Sequence, residues 1–236
     1  MPTQTSSTET PQVVPWGRDL PLVSSPLTPG DRVLLVSAHP DDETIGAGRL
    51  IAGHRGEVRA VTLSGGESCV VSDRIDPVDM LVLRLAEWRT AVHTLGAEAV
   101  ETPRWPDGRL DEHQEEIAES LSPLMATSDV VVTTWRHDPH PDHQAAGHAC
   151  ATAAARAGVR MVEFPVWAPY WMTGVDIAEH RYRLCAANCP PGSEDARREA
   201  LLSYTSQTEA LLPGWDPVVP ADMLVRHDRQ LLACPA

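Results

Sequence analysis

Two short stretches concentrate side chains able to do chemistry. His39, Asp41, Asp42 and Glu43 fall in AHPDDE, residues 38–43, and RHDPHPDH, residues 136–143, brings His137, Asp138, His140, Asp142 and His143 together. Four of the ten histidines lie between 137 and 148, a density that composition alone does not produce. Two imidazoles and one carboxylate make a borderline-soft donor set suited to Zn²⁺, with an open position for water as catalytic zinc sites require. Each stretch has a plainer reading. Asp41 and Asp42 after a strand could be a helix N-cap and first-turn dipole pair, and His-Pro-Asp-His alone could be a surface turn. What separates the readings is whether the fold brings the stretches together.

The elements around them favour that. RVLLVSA (32–38) has the β-branched, unbroken apolar character of a buried strand, and ETIGAGRLIAGHRG (43–56) follows as a helix closing at Gly56. EVRAVTLS (57–64) and AEAVET (97–102) are further strands, with an amphipathic helix over 80–96 between them. Residues 111–127 form a helix disturbed at Pro123, DVVVTTW (129–135) a strand, and HQAAGHACATAAARAG (143–158) an Ala-rich helix. Strands alternating with helices predict a parallel sheet with right-handed crossovers, a three-layer, Rossmann-like α/β domain with a mostly parallel sheet. Both histidine-bearing stretches follow strands, where the ligand crevice of an open parallel sheet lies. If the sheet has the common doubly wound order, they face each other across the switch point. Beyond residue 158 the pattern predicts a strand and an aromatic, Pro-broken loop over 159–174, a strand over 180–186, a helix over 193–212 and a helical end. Residues 1–29 read as a flexible tail and approach segment around Trp16 and Leu20, and 30–236 as a single domain.

Composition narrows the function classes. The 19 basic residues are all Arg, so Schiff-base and phosphate-loop lysines are absent and pyridoxal enzymes and ordinary Walker-type hydrolases are excluded. A net charge of −14 without a basic block argues against a nucleic-acid partner. Five scattered cysteines fit a reducing cytoplasm better than a disulfide framework. Neither a signal-peptide pattern nor an 18-residue apolar run occurs, which predicts a cytoplasmic protein without a membrane partner. A homo-oligomer stays open.

AHPDDE after the first strand and HPDH after a later one resemble the paired signature motifs of the LmbE-like, PIG-L family of zinc-dependent N-deacetylases. LSGGE (63–67), Arg84-x-x-Glu87, Leu95-Gly96, Pro106-Asp107-Gly108 and Tyr204-x-Ser206-Gln207 extend the resemblance in order from residue 32 to about 210. It implies one Zn²⁺ per chain held by His39, Asp42 and His143. It places Asp41 as the general base, His140 as the group facing the oxyanion and the leaving amine, and Asp142 as the carboxylate orienting a histidine of its cluster. Arg84 and Asp107 match positions that contact substrate hydroxyls in sugar-processing members. The loop before HPDH is compressed to RHDP, unlike that of deacetylases of thiol-cofactor precursors. The activity implied is removal of an N-acetyl or other N-acyl group from an amino sugar or amino-sugar-containing small molecule. A zinc amidase acting on a non-sugar secondary-metabolite intermediate and a noncatalytic metal-bound scaffold remain as alternatives.

Weaker signals have bland readings. Cys185-x-x-x-Cys189 near His180 lacks the partners of a second zinc site and reads as buried or partly exposed thiols. Gly46-x-Gly48 lacks the dinucleotide fingerprint and reads as close helix packing. Trp167, Tyr170 and above all Trp171 could stack on a sugar or acyl face, or cap the sheet as core. DEHQEE (111–116) reads as a solvated helix face. The loops 65–79, 103–110 and 165–176 are where substrate identity would reside.

Overall fold

The computed structural model describes residues 20–70 and 72–236. Most of the predicted tail, with Trp16, lies outside the described residues. The first half runs β1 (Leu22–Val23), β2 (Val33–Ser37), α1 (Asp42–Ala52), β3 (Val58–Thr62), α2 (Pro77–Thr94), β4 (Glu98–Ala99), a 3-10 turn (Leu110–His113), α3 (Gln114–Met125), β5 (Val130–Thr134), α4 (Pro141–Ala157) and β6 (Arg160–Phe164). Five of these strands form one parallel sheet in the order β4-β3-β2-β5-β6. The chain first builds leftward from β2 and then returns to its other side, so β2 and β5 flank the switch point. This is the doubly wound α/β architecture that the alternating pattern predicts.

Side-chain alternation builds the three layers. Along β2, Val33 and Leu35 join a core with Ile45, Leu50 and Trp88 of α1 and α2, whereas Leu34 and Val36 join one with Ile117, Leu121 and Ala149 of α3 and α4. A strand buried on both faces needs apolar residues at every position, which is why VLLVS shows no polar alternation until Ser37. Gly46 is required by this packing: a Cβ there would sit 2.2 Å from the Phe164 ring, so α1 could not close on β6. The close-packing reading of Gly46-x-Gly48 therefore holds, with Gly48 against Arg197.

The second half departs further from expectation. It comprises α5 (Ala168–Trp171), α6 (Gly174–Glu179), β7 (Tyr182–Ala187), α7 (Ser193–Leu201), α8 (Thr205–Thr208), α9 (Ala221–Arg226) and β8 (Gln230–Pro235). Strand β8 pairs antiparallel with β7, and β1 pairs parallel on its other side. The C-terminal end, expected to be helical, is helix over Ala221–Arg226 but strand over Gln230–Pro235; a short apolar run such as QLLACP carries no period that distinguishes the two. The helix expected over 193–212 stops at Leu201, because fully buried Tyr204 turns inward to donate its hydroxyl to Glu43. Among the described residues no helix is long and apolar enough to cross a membrane.

Candidate metal centre and active-site cleft

AHPDDE leaves the carboxyl end of β2 and RHDPHPDH that of β5, and adjacency of the two strands brings the stretches into contact. Asp42 sits between the imidazoles, its Oδ1 3.1 Å from His143 Nε2 and its Oδ2 3.4 Å from His39 Nδ1. His140 joins them, its ring centroid 4.9 Å from that of His39 and 4.7 Å from that of His143. His39, His140 and His143 form one group whose nitrogens lie within 4.8 Å of one another; His39, Asp107 and Asp142 form another. Asp107 is therefore closer to the metal-holding cluster than a residue reserved for substrate hydroxyls.

The plainer readings cover only part of this geometry: Asp41 and Asp42 do stand at the N-cap and in the first turn of α1. Asp41 is the N-cap of α1 by position, yet its side chain makes no capping bond. It adopts φ 118°, a region non-glycine residues rarely occupy, at the point where the strand turns into the helix. Asp41 N donates to Glu43 Oε2 at 3.2 Å, and Arg84 Nη2 donates to Pro40 O at 2.6 Å; both bonds hold this turn. HPDH is likewise no surface turn: His140 caps α4, its Nδ1 accepting from Asp142 N at 3.2 Å, with Pro141 at the first helical position.

His143 is fully buried, and two carboxylates address its ring. Nδ1 donates to Asp138 Oδ1 at 3.0 Å, while Nε2 makes no hydrogen bond of acceptable geometry even though Asp42 is 3.1 Å away. A buried nitrogen held by a hydrogen bond on the far side of its ring, with a carboxylate in front but no hydrogen bond to it, is a nitrogen able to face a metal ion. The imidazoles of His39, His140 and His143 with the carboxylates beside them thus fit a borderline-soft divalent cation.

Electrostatics agree. Burial opposes charge on His143, but Asp42 and Asp138 outweigh it and lift the pKa to about 9. Burial would likewise raise Asp42, yet the facing His143 and His39 hold it well below the carboxylate norm. Asp41, only 6% exposed, rises to about 7 through burial, offset by Arg84 and reinforced by Asp42 and Glu43. Burial pushes His140 down to about 4, helped by repulsion from His143 and His39. Because His140 Nδ1 accepts from the backbone, its proton resides on Nε2, so it is a neutral donor at neutral pH.

Several expected residues are placed differently. Asp142 does not orient a histidine of its own motif; it reaches across to His39 Nε2 at 3.2 Å and accepts from Gly108 N and Leu110 N. The orienting task falls to Asp138, to which the sequence reading gave no role. Its Oδ2 also accepts from the backbone N–H groups of Val166, Trp167 and Ala168. Arg84 reaches the cleft, but its guanidinium is engaged by Gly66 O, Pro40 O and Asp41 Oδ2, clamping two loops beneath the Asp41 carboxylate. Gly66, at φ 64°, passes so close that a Cβ would lie 2.0 Å from Arg84 Nη1. Trp171 is 55% exposed and stacks on Trp167 at 4.4 Å; Trp167, not Trp171, lines the cleft. Cys185 and Cys189 belong to no metal-holding group of three or more among the described residues.

The cleft in front of these groups measures about 270 Å³, near the lower end for small-molecule sites. Ser68, Asp107 and Gln207 line it along with His39, His140 and Asp41. Ser68 N donates to Asp107 Oδ2 at 2.7 Å and Asp107 N to Glu67 Oε1 at 3.1 Å, fastening the loops after β3 and β4 to each other. Glu87 accepts from Ser206 N and Oγ, docking the segment that carries Gln207 onto α2. Val218, Val219 and Met223 line it as well, from a segment in which the sequence showed no site signal.

Comparison with known proteins agrees with this architecture. The family model for PIG-L, GlcNAc-PI de-N-acetylase, matches residues 34–154, the span that carries both motifs. The 1D-myo-inositol 2-acetamido-2-deoxy-alpha-D-glucopyranoside deacetylase of Mycobacteroides abscessus is 30% identical over 209 residues, covering 75% of this chain and 72% of its own length. Among solved structures, the A40926 pseudoaglycone deacetylase Dbv21 superposes with a TM-score of 0.67 at 21% identity, covering 87% of this chain and 96% of its own. The zinc-inhibited form of teicoplanin deacetylase Orf2 gives 0.58 at 17% identity, covering 76% and 87%. At such identities the structural likeness speaks for the fold. With the family model spanning half of the chain and a curated relative aligned over most of both lengths, this chain belongs to the PIG-L, GlcNAc-PI de-N-acetylase family.

Proposed function

We propose that this protein is a zinc-dependent hydrolase that removes an N-acetyl or other N-acyl group from an amino sugar or amino-sugar-containing small molecule. One observation carries the reading: a buried His39–Asp42–His143 cluster, in which His143 Nε2 faces Asp42 without a hydrogen bond, adjoins a carboxylate raised to about 7 at the wall of an open cleft. The deacetylase names of the curated relative and of the solved neighbours support the amide as the reacting bond and the amino sugar as its bearer. Zinc is favoured by the chemistry of two imidazoles and one carboxylate.

Zinc bound there supplies Lewis acidity, acidifying a water molecule and polarising the amide carbonyl. The chain supplies the rest. Asp41 takes the water proton, and a pKa near 7 suits a base that must accept and release protons at neutral pH. Arg84 Nη2, 3.3 Å from Asp41 Oδ2, keeps that carboxylate in place. Neutral His140 directs its Nε2 proton to the oxygen that gains charge as the carbonyl carbon becomes tetrahedral; when the C–N bond breaks, the proton held by Asp41 passes to the leaving nitrogen, releasing the amine and the carboxylic acid. Asp142 and Asp107 hold His39 through Nε2.

Asp41→Asn tests the reading. The variant keeps stoichiometric zinc, because Asp41 is outside the donor set, and loses amine release from methyl N-acetylglucosaminide by roughly 10²–10⁴-fold. Full turnover in that variant would remove Asp41 as the base. A wild-type zinc protein releasing no amine from any N-acylated amino sugar would overturn the proposed activity.

A further inference from the structure

Two buried residues beside Asp41 have no part in the chemistry above. Glu43 and Tyr204 are both fully buried, and they meet across 161 residues of chain, the Tyr204 hydroxyl donating to Glu43 Oε1. Thr44 Oγ1 donates to the same oxygen at 2.7 Å. Glu43 Oε2 turns the other way and accepts from Asp41 N at 3.2 Å. A chain of bonds thus runs from Tyr204 through Glu43 to the backbone of Asp41. Apolar side chains in place of a buried polar pair are often neutral or stabilising, so packing alone gives no reason for this pair.

The far end of that chain is fastened as well. Thr205 Oγ1 and Ser206 N donate to Glu87 Oε1 at 3.0 and 2.9 Å, and Ser206 Oγ donates to Glu87 Oε2 at 2.6 Å, docking the turn after Tyr204 onto α2. Glu87 follows Arg84 by three residues on that helix, so the two share a face. Arg84 in turn donates to Pro40 O at 2.6 Å and to Asp41 Oδ2 at 3.3 Å. Tyr204-x-Ser206 therefore holds Asp41 from two directions: its backbone through Glu43, and the helix that clamps its carboxylate through Glu87. The residue so held is strained. A non-glycine φ of 118° persists only where surrounding bonds over-determine it, and it sets where the Asp41 carboxylate points. We infer that Tyr204 is a positioning residue for the proposed reaction: its hydroxyl, through Glu43, fixes the backbone of Asp41 and so aims the carboxylate that takes the water proton. The inference rests on the reading of Asp41 as the base. Tyr204 itself is buried and does not line the cleft, so loss of its hydroxyl lowers kcat and spares KM and zinc content.

Tyr204→Phe keeps the ring in the core and removes only the hydroxyl. On methyl N-acetylglucosaminide the zinc-loaded variant shows a kcat about tenfold lower, a KM within about twofold of wild type and stoichiometric metal. In the Asp41→Asn background the same change costs less than about twofold, because no carboxylate remains to be aimed. Exchange of the Asp41 amide hydrogen, read by NMR, is about tenfold faster in Tyr204→Phe, while amides later in α1 keep their protection. The double variant Glu43→Met/Tyr204→Phe separates aim from stability. With an apolar pair in place of the polar one it melts closer to wild type than Tyr204→Phe does, yet has the same low kcat. It also decides the matter should Tyr204→Phe fail to fold. Wild-type kcat in either folded variant, an equally large loss in the Asp41→Asn background, or a kcat that recovers with melting temperature would each overturn the inference. Failure of the hydrolase reading looks different. Full turnover in Asp41→Asn removes the base, and the inference falls with it. If the wild-type zinc protein releases no amine, the activity falls and amide exchange alone decides whether Tyr204 fixes the Asp41 turn, unchanged exchange overturning that too.

Discussion

Asp138→Asn is the most discriminating perturbation of the centre, because one atom exchange forces a choice between two sets of donors. Asp138 Oδ2 accepts from Val166 N at 2.9 Å, Trp167 N at 3.0 Å and Ala168 N at 3.1 Å. Oδ1 accepts from His143 Nδ1 at 3.0 Å and, at 3.4 Å, from His140 N. An asparagine has one acceptor oxygen. Turning its NH₂ toward the backbone would strand three buried donors at about 1–3 kcal/mol each, roughly 3–9 kcal/mol against a typical total stability of about 5–15. Turning the NH₂ toward His143 costs only that hydrogen bond and the long one, so the side chain adopts this orientation and the fold survives. His143 must then accept at Nδ1 and carry its proton on Nε2, the atom that should be bare for a metal. Zinc affinity therefore falls about 10- to 100-fold, some 1.4–2.7 kcal/mol. The assay is a competition titration against a chelator, paired with thermal melts of metal-free wild type and variant. Unchanged affinity in a folded variant would refute the assigned role of Asp138, and collapse of the metal-free fold would refute the orientation argument.

Other outcomes follow from the same geometry. Asp42→Ala and His143→Ala lose stoichiometric zinc by elemental analysis, because two remaining protein ligands hold the ion poorly. His140→Ala keeps the metal but lowers kcat by about 10²–10³, the usual cost of removing one oxyanion donor. His227, fully buried and pushed down to about 4 mainly by burial, folds in its neutral form. As pH falls from about 6.5 toward 4 the unfolded chain gains a proton that the folded one does not, so stability is lost, on the order of 3 kcal/mol for this group. His227→Gln flattens that part of the pH–melting profile relative to wild type, and identical profiles would exclude His227 as a source of acid sensitivity.

How much of this was legible in the sequence depends on where each interaction's partners lie in the chain. Strands β2 and β5 were readable because burial on both faces leaves unbroken apolar runs, and their adjacency followed from the doubly wound order. That placed His39, Asp42 and His143 together before any coordinate was known. Asp138 was visible as a residue but silent as a role. Its work depends on three N–H groups after β6 that no local pattern announces, although a carboxylate five residues before a ligating histidine is a signal that could have been weighed. Asp142 misled for the complementary reason: proximity in sequence to His140 and His143 suggested a local partner, whereas the first turn of α4 directs it across the sheet to His39. The lining from Val218 to Met223 was hidden most completely. Val219 lies in the approach to α9 and Met223 on α9 itself, and their position is set by single bonds to Gln207, Pro169 and Val166, contacts with no period and no motif. The reacting centre sits on strand ends whose placement the sheet dictates. The segment from Val218 to Arg226 that completes the cleft is placed one hydrogen bond at a time, so it can change without disturbing the two motifs. A shared motif pair therefore transfers the reaction between relatives far more securely than it transfers the substrate.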